Sequence, residues 1–237
     1  MSDKPAVRPE VTVVHTSDVH VAEGPAGAAH LDRVLKAADS VAADIVLLAG
    51  DTFENHRLPD ALLEEVAALV AAVARPVVLL PGNHDPIVGD AVYHRPALAA
   101  AANLHVLGVT HEEALLFPAL DLEIAGRAHR DYRDMIPFEG FRPKRARWRI
   151  AVAHGHYEPV PDRSVRARPA WLIGDDEIVA TGADYVALGH WNRAIKVGTG
   201  AAAAYYSGSP DYAGTVNVVR FTPDGDVVVT AAPLDPA

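Results

Sequence analysis

Short apolar runs alternate with helical patterns along the first half of the chain. Three runs are rich in valine, isoleucine and leucine, and such short runs are typical of buried strands. Between them, apolar residues recur twice at the spacing of a helix that buries one face. This alternation favours stacked α/β layers and a parallel sheet. The predicted strands are 11–16, 44–49 and 76–80, and the predicted helices are 28–42 and 58–74.

The second half of the chain is richer in strand patterns. Asp224 and Gly225 lie between the last two of these patterns and are typical of a hairpin turn. Residues 127–147 show no clean period and hold two prolines, so we expect an extended loop there. No linker divides the chain, and we expect residues 1–237 to form one domain. The predicted strands are 104–107, 120–125, 148–153, 185–188, 203–206, 215–221 and 226–230.

Polar clusters follow five of the predicted strands at the point where each strand ends. In α/β sheets, ligands bind at the carboxyl ends of the strands. Glycines stand beside four of these clusters and allow a sharp turn at the sheet edge. The clusters are Asp18 with His20, Asp51, Asn83 with His84 and Asp85, His154 with His156, and His190 with Asn192.

Each cluster taken alone has a structural explanation. Asp51 and Thr52 are suited to cap a helix, and a single histidine is commonly a hydrogen-bonded structural residue. Together, however, the five strand ends offer carboxylate, imidazole and amide groups without any thiolate. That ligand set is typical of sites for divalent metals such as manganese, iron or zinc.

Composition narrows the functional classes. Of the 237 residues, 50% are hydrophobic and 22% are charged, which is the balance of a soluble globular protein. The absence of cysteine excludes disulfide scaffolds, thiolate zinc sites and cysteine nucleophiles. The longest apolar run, Val66–Ala74, is too short to cross a membrane, and residues 1–9 lack a signal-peptide stretch. We therefore expect a cytoplasmic protein with no membrane partner.

The charge is unevenly distributed. The formal net charge is −10, yet residues 127–168 hold eleven basic residues against five acidic ones. This basic stretch is either a local anion-binding face or an ordinary solvated loop. The overall acidity argues against tight, sequence-independent binding of nucleic acid. The basic residues are Arg127, Arg130, Arg133, Arg142, Lys144, Arg145, Arg147, Arg149, Arg163, Arg166 and Arg168.

In chain order, the polar clusters resemble the motifs of the calcineurin-like metallophosphoesterases. The resemblance spans residues 15–210, and it implies an α/β fold, a four-layer α/β/β/α sandwich of two mixed sheets with metals at the strand ends. The motifs are Asp18-x-His20, Gly50-Asp51, Gly82-Asn83-His84-Asp85, His154-Gly155 and Gly189-His190-x-Asn192.

The same resemblance implies two divalent metal ions, with manganese expected and iron or zinc as alternatives. Two such ions clamp a phosphate and lower the pKa of a water between them. Asn192 stands where the family has a histidine, and an amide oxygen is a weaker ligand than imidazole. The implied ligands are Asp18, His20 and Asp51 for the first metal, with Asn192 in its fourth position, and Asp51, Asn83, His154 and His190 for the second.

Two further residues have roles implied by the resemblance. His84 matches the histidine that contacts the phosphate and protonates the leaving oxygen, a role that suits an imidazolium. Asp85 matches the acid that orients this histidine.

Within the family, two segments resemble the double-strand-break repair nucleases of bacteria and archaea. They are the opening motif at 15–20 and the closing motif Tyr206–Pro210, and Gly50–Phe53 also fits that branch. Those nucleases continue into a capping region and a segment that docks an ATPase. The chain stops near residue 237, so the resemblance implies neither duplex-end processing nor the ATPase partnership for it.

Three functions remain open from the sequence. The first is a metal-dependent phosphodiesterase of the nuclease type, with the basic stretch as its phosphate-facing wall. The second is a phosphatase, or a phosphodiesterase acting on cyclic nucleotides or phospholipid head groups. The third is a metal-poor binding scaffold, against which the proton donor His84 argues. The oligomeric state is open as well.

Five other residues attract attention. His15 is expected either to support the metal site from behind its ligands or to be structural. His56 and His129 are expected at the surface, and His156 either lines the pocket or faces solvent. Trp191 is suited equally to stacking on a base and to capping the core.

Overall fold

The computed structural model describes residues 10–164 and 168–235, so residues 1–9 and Arg166 of the basic stretch lie outside the described residues. In chain order the strands are β1 (Val11–Thr16), β2 (Ile45–Ala49), β3 (Val77–Leu80), β4 (Leu104–Val106), β5 (Ala114–Phe117), β6 (Leu122–Gly126), β7 (Trp148–His154), β8 (His156–Tyr157), β9 (Leu172–Ile173), β10 (Tyr185–Gly189), β11 (Ala194–Val197), β12 (Ala203–Ser207), β13 (Thr215–Phe221) and β14 (Val227–Pro233). The helices are α1 (Ala29–Ser40), α2 (Asp60–Ala72), α3 (Pro96–Ala99), α4 (Asp175–Ala180) and α5 (Pro210–Ala213).

Two six-stranded mixed sheets form the centre of the fold. The first has the order β14-β13-β1-β2-β3-β4, and β1 to β4 are parallel. The second has the order β11-β12-β10-β7-β6-β5, and its four central strands are parallel. Antiparallel strands adjoin the parallel strands on one side of the first sheet and on both sides of the second, so the expected parallel sheet is correct for four strands of each. The four-layer α/β/β/α sandwich of two mixed sheets is confirmed.

Alternate side chains of each central strand enter different cores. Val13 and Leu47 of the first sheet pack against Ile150 and Ala187 of the second, and this contact forms the core between the sheets. Their neighbours, such as Val46, pack beneath α1 and α2 on the outer face. Because both faces are buried, these strands are continuous apolar runs, as parallel strands between layers are.

The predicted helices at 28–42 and 58–74 correspond to α1 and α2, each a few residues shorter. The structure has no helix or strand within 127–147, as predicted, and Asp224 and Gly225 form the turn between β13 and β14. The sequence patterns missed β5, β8, β9 and β11, which have two to four residues each. Such short strands hold too few side chains for a recognisable alternation.

Within the described ranges, no helix combines the length and the apolar character that crossing a bilayer requires.

Candidate active site

The carboxyl ends of five parallel strands converge at one edge of the sandwich. Asp18, Asp51 and Asn83 follow β1, β2 and β3 of the first sheet. His154 and His190 end or follow β7 and β10 of the second sheet. The two groups meet because His154 Nδ1 donates a hydrogen bond to the carbonyl oxygen of Ala49, 2.9 Å away.

The backbone is strained where it presents these side chains. Asp18, His20 and Asp51 have φ values of 54°, 49° and 50°, and His190 has a φ of 106°. Left-handed backbone at non-glycine residues costs about 1–3 kcal/mol each and concentrates at functional sites. Backbone hydrogen bonds hold the turns in place: the Asp18 N–H donates to Gly50, and the His20 N–H donates to the carbonyl of Asp51.

Two glycines allow close approaches at this edge: Gly50 of the first sheet to His154 of the second, and Gly82 to Asp51 within the first sheet. A Cβ atom at Gly50 would lie 2.2 Å from His154 Nδ1, and one at Gly82 would lie 2.2 Å from Asp51 Oδ1. A larger residue at either position would push a metal-ligand side chain out of place.

Two candidate metal-ligand clusters share Asp51. Asp18, His20 and Asp51 form the first cluster, and Asp51, His154 and His190 form the second. Within each cluster, one ligand atom from every residue lies within 4.8 Å of the others. The structure therefore brings together five of the seven ligands that the sequence indicated, in the two groups that it indicated.

The donor atoms fit divalent metals. Asn83 Oδ1 is buried and has no hydrogen-bond partner among the described residues. His154 Nε2 lies 3.0 Å from Asp51 Oδ2, while the other nitrogen of its ring is occupied by Ala49. A buried polar atom without a partner is costly, and coordination to a metal removes that cost. The unpartnered oxygen of Asn83 suits the metal-binding role that the sequence indicated, and that role stays a prediction.

Charges at the site are strongly coupled. Burial is the largest single influence on both Asp51 and His154, and it opposes their ionisation. Smaller effects together outweigh it for Asp51: attraction and hydrogen bonding to His154, with the backbone N–H of His84, hold the pKa of Asp51 well below its usual range. Attraction to Asp51 and Asp18 raises the pKa of His154 to about 10. Burial and the nearby His154 lower the pKa of His190 to about 4, so that this ring is neutral at pH 7. A neutral imidazole is the form that binds a metal.

Glu54 is a site residue that the sequence patterns did not single out. Its Oε2 lies 2.8 Å from His20 Nδ1, and its Oε1 lies 3.6 Å from His84 Nδ1. The rings of His20 and His84 lie edge to face with centroids 4.9 Å apart. With Nδ1 of His20 held by Glu54, Nε2 of the same ring faces Asp18 and is available as a ligand.

His84 is placed at the mouth of this site. Its backbone N–H donates to Asp51 Oδ1 at 2.8 Å, and its side chain is 41% exposed. The backbone of His84 is therefore anchored to Asp51 of the metal clusters, while its imidazole ring can contact a ligand that enters from solvent.

The match to a known family covers this whole arrangement. A sequence profile for calcineurin-like phosphoesterases matches residues 11–194, which include both ligand clusters and His84. The chain belongs to the calcineurin-like phosphoesterases. It is thus a hydrolase that acts on phosphoesters, and divalent metal ions are the cofactors of the family.

One relative of the chain is a subunit of a bacterial nuclease. The chain is 25% identical over 261 aligned positions to a subunit of the nuclease SbcCD from Bacillus subtilis (strain 168). That alignment covers 89% of this chain and 66% of the relative, so the chain spans just under two thirds of the relative's length.

Among solved structures, TT1561 of Thermus thermophilus has a TM-score of 0.63 and 11% identity, covering 95% of this chain and 99% of that one. Another has a TM-score of 0.62 and 12% identity, covering 94% of this chain and 99% of that one. At these identities the structures show a shared fold.

Asp85 differs from its expected role in this phosphoesterase. It is fully buried, and its two oxygens accept hydrogen bonds from the N–H groups of Gly82 and Phe53 and from the hydroxyl of Tyr93. Both oxygens are therefore committed to the turn around the site, and the carboxylate that faces the His84 ring belongs to Glu54. Burial, with the charge of Asp51, raises the pKa of Asp85 to about 6.

Asn192 lies on the exposed side of the site. Its carbonyl oxygen accepts a hydrogen bond from the Ser209 N–H at 3.3 Å, which joins it to the closing motif. The preceding ligand His190 donates its backbone N–H to Asp18 Oδ2 at 2.9 Å. The metal-binding role of Asn192 stays a prediction.

Two histidines expected at the surface are buried, so those predictions are wrong. His129 is 1% exposed, and its Nε2 donates to the carbonyl of His154 at 2.8 Å, which places it directly behind a metal ligand. His56 is 8% exposed and accepts a hydrogen bond from the Val92 N–H. The loops that carry them have no periodicity, so their burial left no signal in the sequence.

The remaining candidates have structural partners. His15 lies in the core, with Nδ1 2.9 Å from the hydroxyl of Tyr185. Trp191 stacks in parallel on Tyr206 with ring centroids 4.5 Å apart, and it donates its indole N–H to His156, which is exposed. Trp191 therefore caps the apolar core beneath the second sheet.

Half of the described basic stretch, five residues of ten, forms short ion pairs with local carboxylates. Lys144, Arg145 and Arg149 pair with carboxylates at the second sheet, which favours a structural explanation for that part of the positive charge. The pairs are Arg127 with Glu139, Lys144 with Asp184, Arg145 and Arg149 with Glu123, and Arg163 with Glu177.

Replacing Glu54 by alanine is expected to weaken metal binding at the first cluster about 10–100-fold, the usual cost of losing a partner that orients a ligating histidine. Without the carboxylate, the His20 ring is free to rotate and to change its protonated nitrogen. Calorimetric titration with Mn²⁺ measures the effect, with Glu64→Gln on the exposed face of α2 as the control. Unchanged affinity in Glu54→Ala would show that His20 is oriented without it.

Proposed function

We propose that this phosphoesterase hydrolyses phosphodiesters, that nucleic acid is its substrate class, and that it uses two divalent metal ions, manganese foremost. The observation that carries the proposal is the pair of ligand clusters sharing Asp51, with the exposed His84 beside them. Support for nucleic acid comes from the similarity to the SbcCD nuclease subunit, which the chain matches over 89% of its own length.

Each side chain has a distinct task in this proposal. Two divalent ions at such a site supply the positive charge that holds a phosphate and acidifies a water molecule. His84 donates a proton to the oxygen that leaves phosphorus. Glu54 keeps His84 and His20 in place, and His129 supports the peptide of His154 from behind. The strained turns present these groups without rearrangement on binding, which lowers the cost of reaching the transition state.

The experiment that tests the proposal compares four substrates after removal of bound metal. They are bis(p-nitrophenyl) phosphate, p-nitrophenyl phosphate, and linear single-stranded and double-stranded DNA, each with EDTA, Mn²⁺, Mg²⁺ or Zn²⁺. We expect hydrolysis that requires added metal, a higher kcat/KM for the diester than for the monoester, and degradation of linear DNA. Activity that survives exhaustive chelation would contradict the metal mechanism.

The second candidate function is a phosphatase or a small-molecule phosphodiesterase at the same site. The local pairing of the basic stretch favours it, because half of the described cations are already paired with carboxylates and fewer remain for a long polyanion. A preference for the monoester, or hydrolysis of small diesters without degradation of DNA, would decide for this alternative.

A further inference from the structure

A cavity of about 640 Å³ opens on the outer face of the second sheet. Its floor includes Glu123 of β6 and Arg149 of β7, whose side chains point away from the core between the sheets. The loop at 127–147 forms one wall, and residues 108–114 form the other. None of the described residues that line the cavity belongs to the candidate metal clusters.

The cavity is positively charged within an acidic protein. Five arginines and three glutamates line it, a net charge of +2 in a chain whose formal net charge is −10. Such a local excess attracts anions. The charged lining residues are Arg127, Arg130, Arg142, Arg145 and Arg149, with Glu112, Glu113 and Glu123.

The floor is preorganised by a buried ion pair. Glu123 is 2% exposed, and it accepts hydrogen bonds from Arg149 and Arg145, each at 2.7 Å. Arg149 also donates to the carbonyl of Thr181. These arginines are therefore largely satisfied by the protein, and they fix the shape of the cavity.

Two arginines at the rim keep donors for a ligand. Arg142 is exposed and has no ion-pair or hydrogen-bond partner within residues 10–164 and 168–235. Arg130 has only a long contact of 3.9 Å to Glu113. The planar fork of a guanidinium group matches two oxygens of a phosphate, which makes arginine the side chain of choice for that group.

The cavity also has an apolar wall. Val109 and Phe141 line it, and Phe141 is held edge to face by Phe138 with ring centroids 5.5 Å apart. A fixed aromatic ring offers a surface on which a flat group can stack. The volume lies within the range of about 300–1,000 Å³ that is usual for small-molecule sites.

We propose that this cavity binds a small organic phosphate of about mononucleotide size, with the phosphate on Arg142 and Arg130 and the flat organic part against Phe141. This site is separate from the metal centre, and its occupation requires no hydrolysis.

The test is a calorimetric titration of the full chain with adenosine 5′-monophosphate in excess EDTA, which removes divalent ions from the metal centre. We expect saturable binding with one site per chain. Arg142→Ala is expected to weaken it about tenfold or more, the usual effect of losing a charged hydrogen bond. The matched control is Arg133→Ala, an exposed arginine of the same loop that does not line the cavity, and it should bind as wild type does.

Two further titrations distinguish binding of the phosphate group from binding of the flat organic group. Phe141→Ala should weaken binding of the nucleotide and leave binding of inorganic phosphate unchanged, whereas adenosine should bind far more weakly than its monophosphate. Melting temperatures of all variants show whether they are folded, and Arg142 has no described partner to lose.

The proposal is overturned by an absence of saturable binding, by equal losses in Arg142→Ala and Arg133→Ala, or by nucleotide binding in EDTA that Asp51→Asn abolishes. The last result would place the nucleotide in the metal centre. Because hydrolysis is not measured, failure here leaves the proposed phosphodiesterase activity untouched, and the reverse also holds.

Discussion

Replacing His84 by alanine is expected to slow hydrolysis of a phosphodiester about 10²–10⁴-fold, the usual cost of losing a general acid. The ring contacts Glu54, while the link from His84 to Asp51 runs through its backbone N–H, which alanine retains. The variant should therefore bind Mn²⁺ as wild type does. With 41% of the side chain exposed, its loss should also leave the free energy of unfolding nearly unchanged.

The identity of the leaving group distinguishes proton donation from simple binding of the phosphate. An alkoxide needs a proton as it departs, whereas p-nitrophenolate departs without one. The loss in kcat should thus be large for an alkyl ester and small for a p-nitrophenyl ester. Equal losses for both esters would assign His84 to positioning the phosphate. His94→Ala, at another exposed histidine, is the matched control and should be as active as wild type.

The central strands and the metal ligands were predictable for a common physical reason. Strands buried on both faces are continuous apolar runs, and the polar residue that ends such a run must lie at the sheet edge. Asp18, Asp51, His154 and His190 all follow this rule. The strained φ values of Asp18, Asp51 and His190 are consequences of crowding at the same edge, as are the glycines beside Asp51, His154 and His190.

What the sequence did not indicate depends on contacts between distant residues. Glu54 reaches His84 across 30 positions, and Asp85 is held by Phe53 and Tyr93 from two other segments. His129 is buried only because its loop folds back behind His154. Neither periodicity nor motif spacing carries information about such contacts, so these roles required the structure.

The close approach of the two sheets leads to the final prediction, which concerns Gly189. A Cβ atom added there would lie 1.9 Å from the carbonyl oxygen of Ala49 and 2.7 Å from both His154 Nδ1 and Ser17 Cβ. The first of these contacts is with backbone of the other sheet, which has no room to move away. It is also the carbonyl that accepts the hydrogen bond from His154.

Gly189→Ala is therefore expected to lower the free energy of unfolding by about 3 kcal/mol or more, at the upper end of the cost of overpacking a core. Any folded fraction should bind Mn²⁺ weakly, because His154 loses the contact that orients it. Gly89→Ala is the matched control: a Cβ there meets nothing within 4 Å, so its stability should equal or slightly exceed that of wild type. Urea unfolding of both variants measures the difference. A midpoint for Gly189→Ala equal to that of wild type would show that the sheets can separate at this edge without cost, and that the metal ligands do not depend on their close contact.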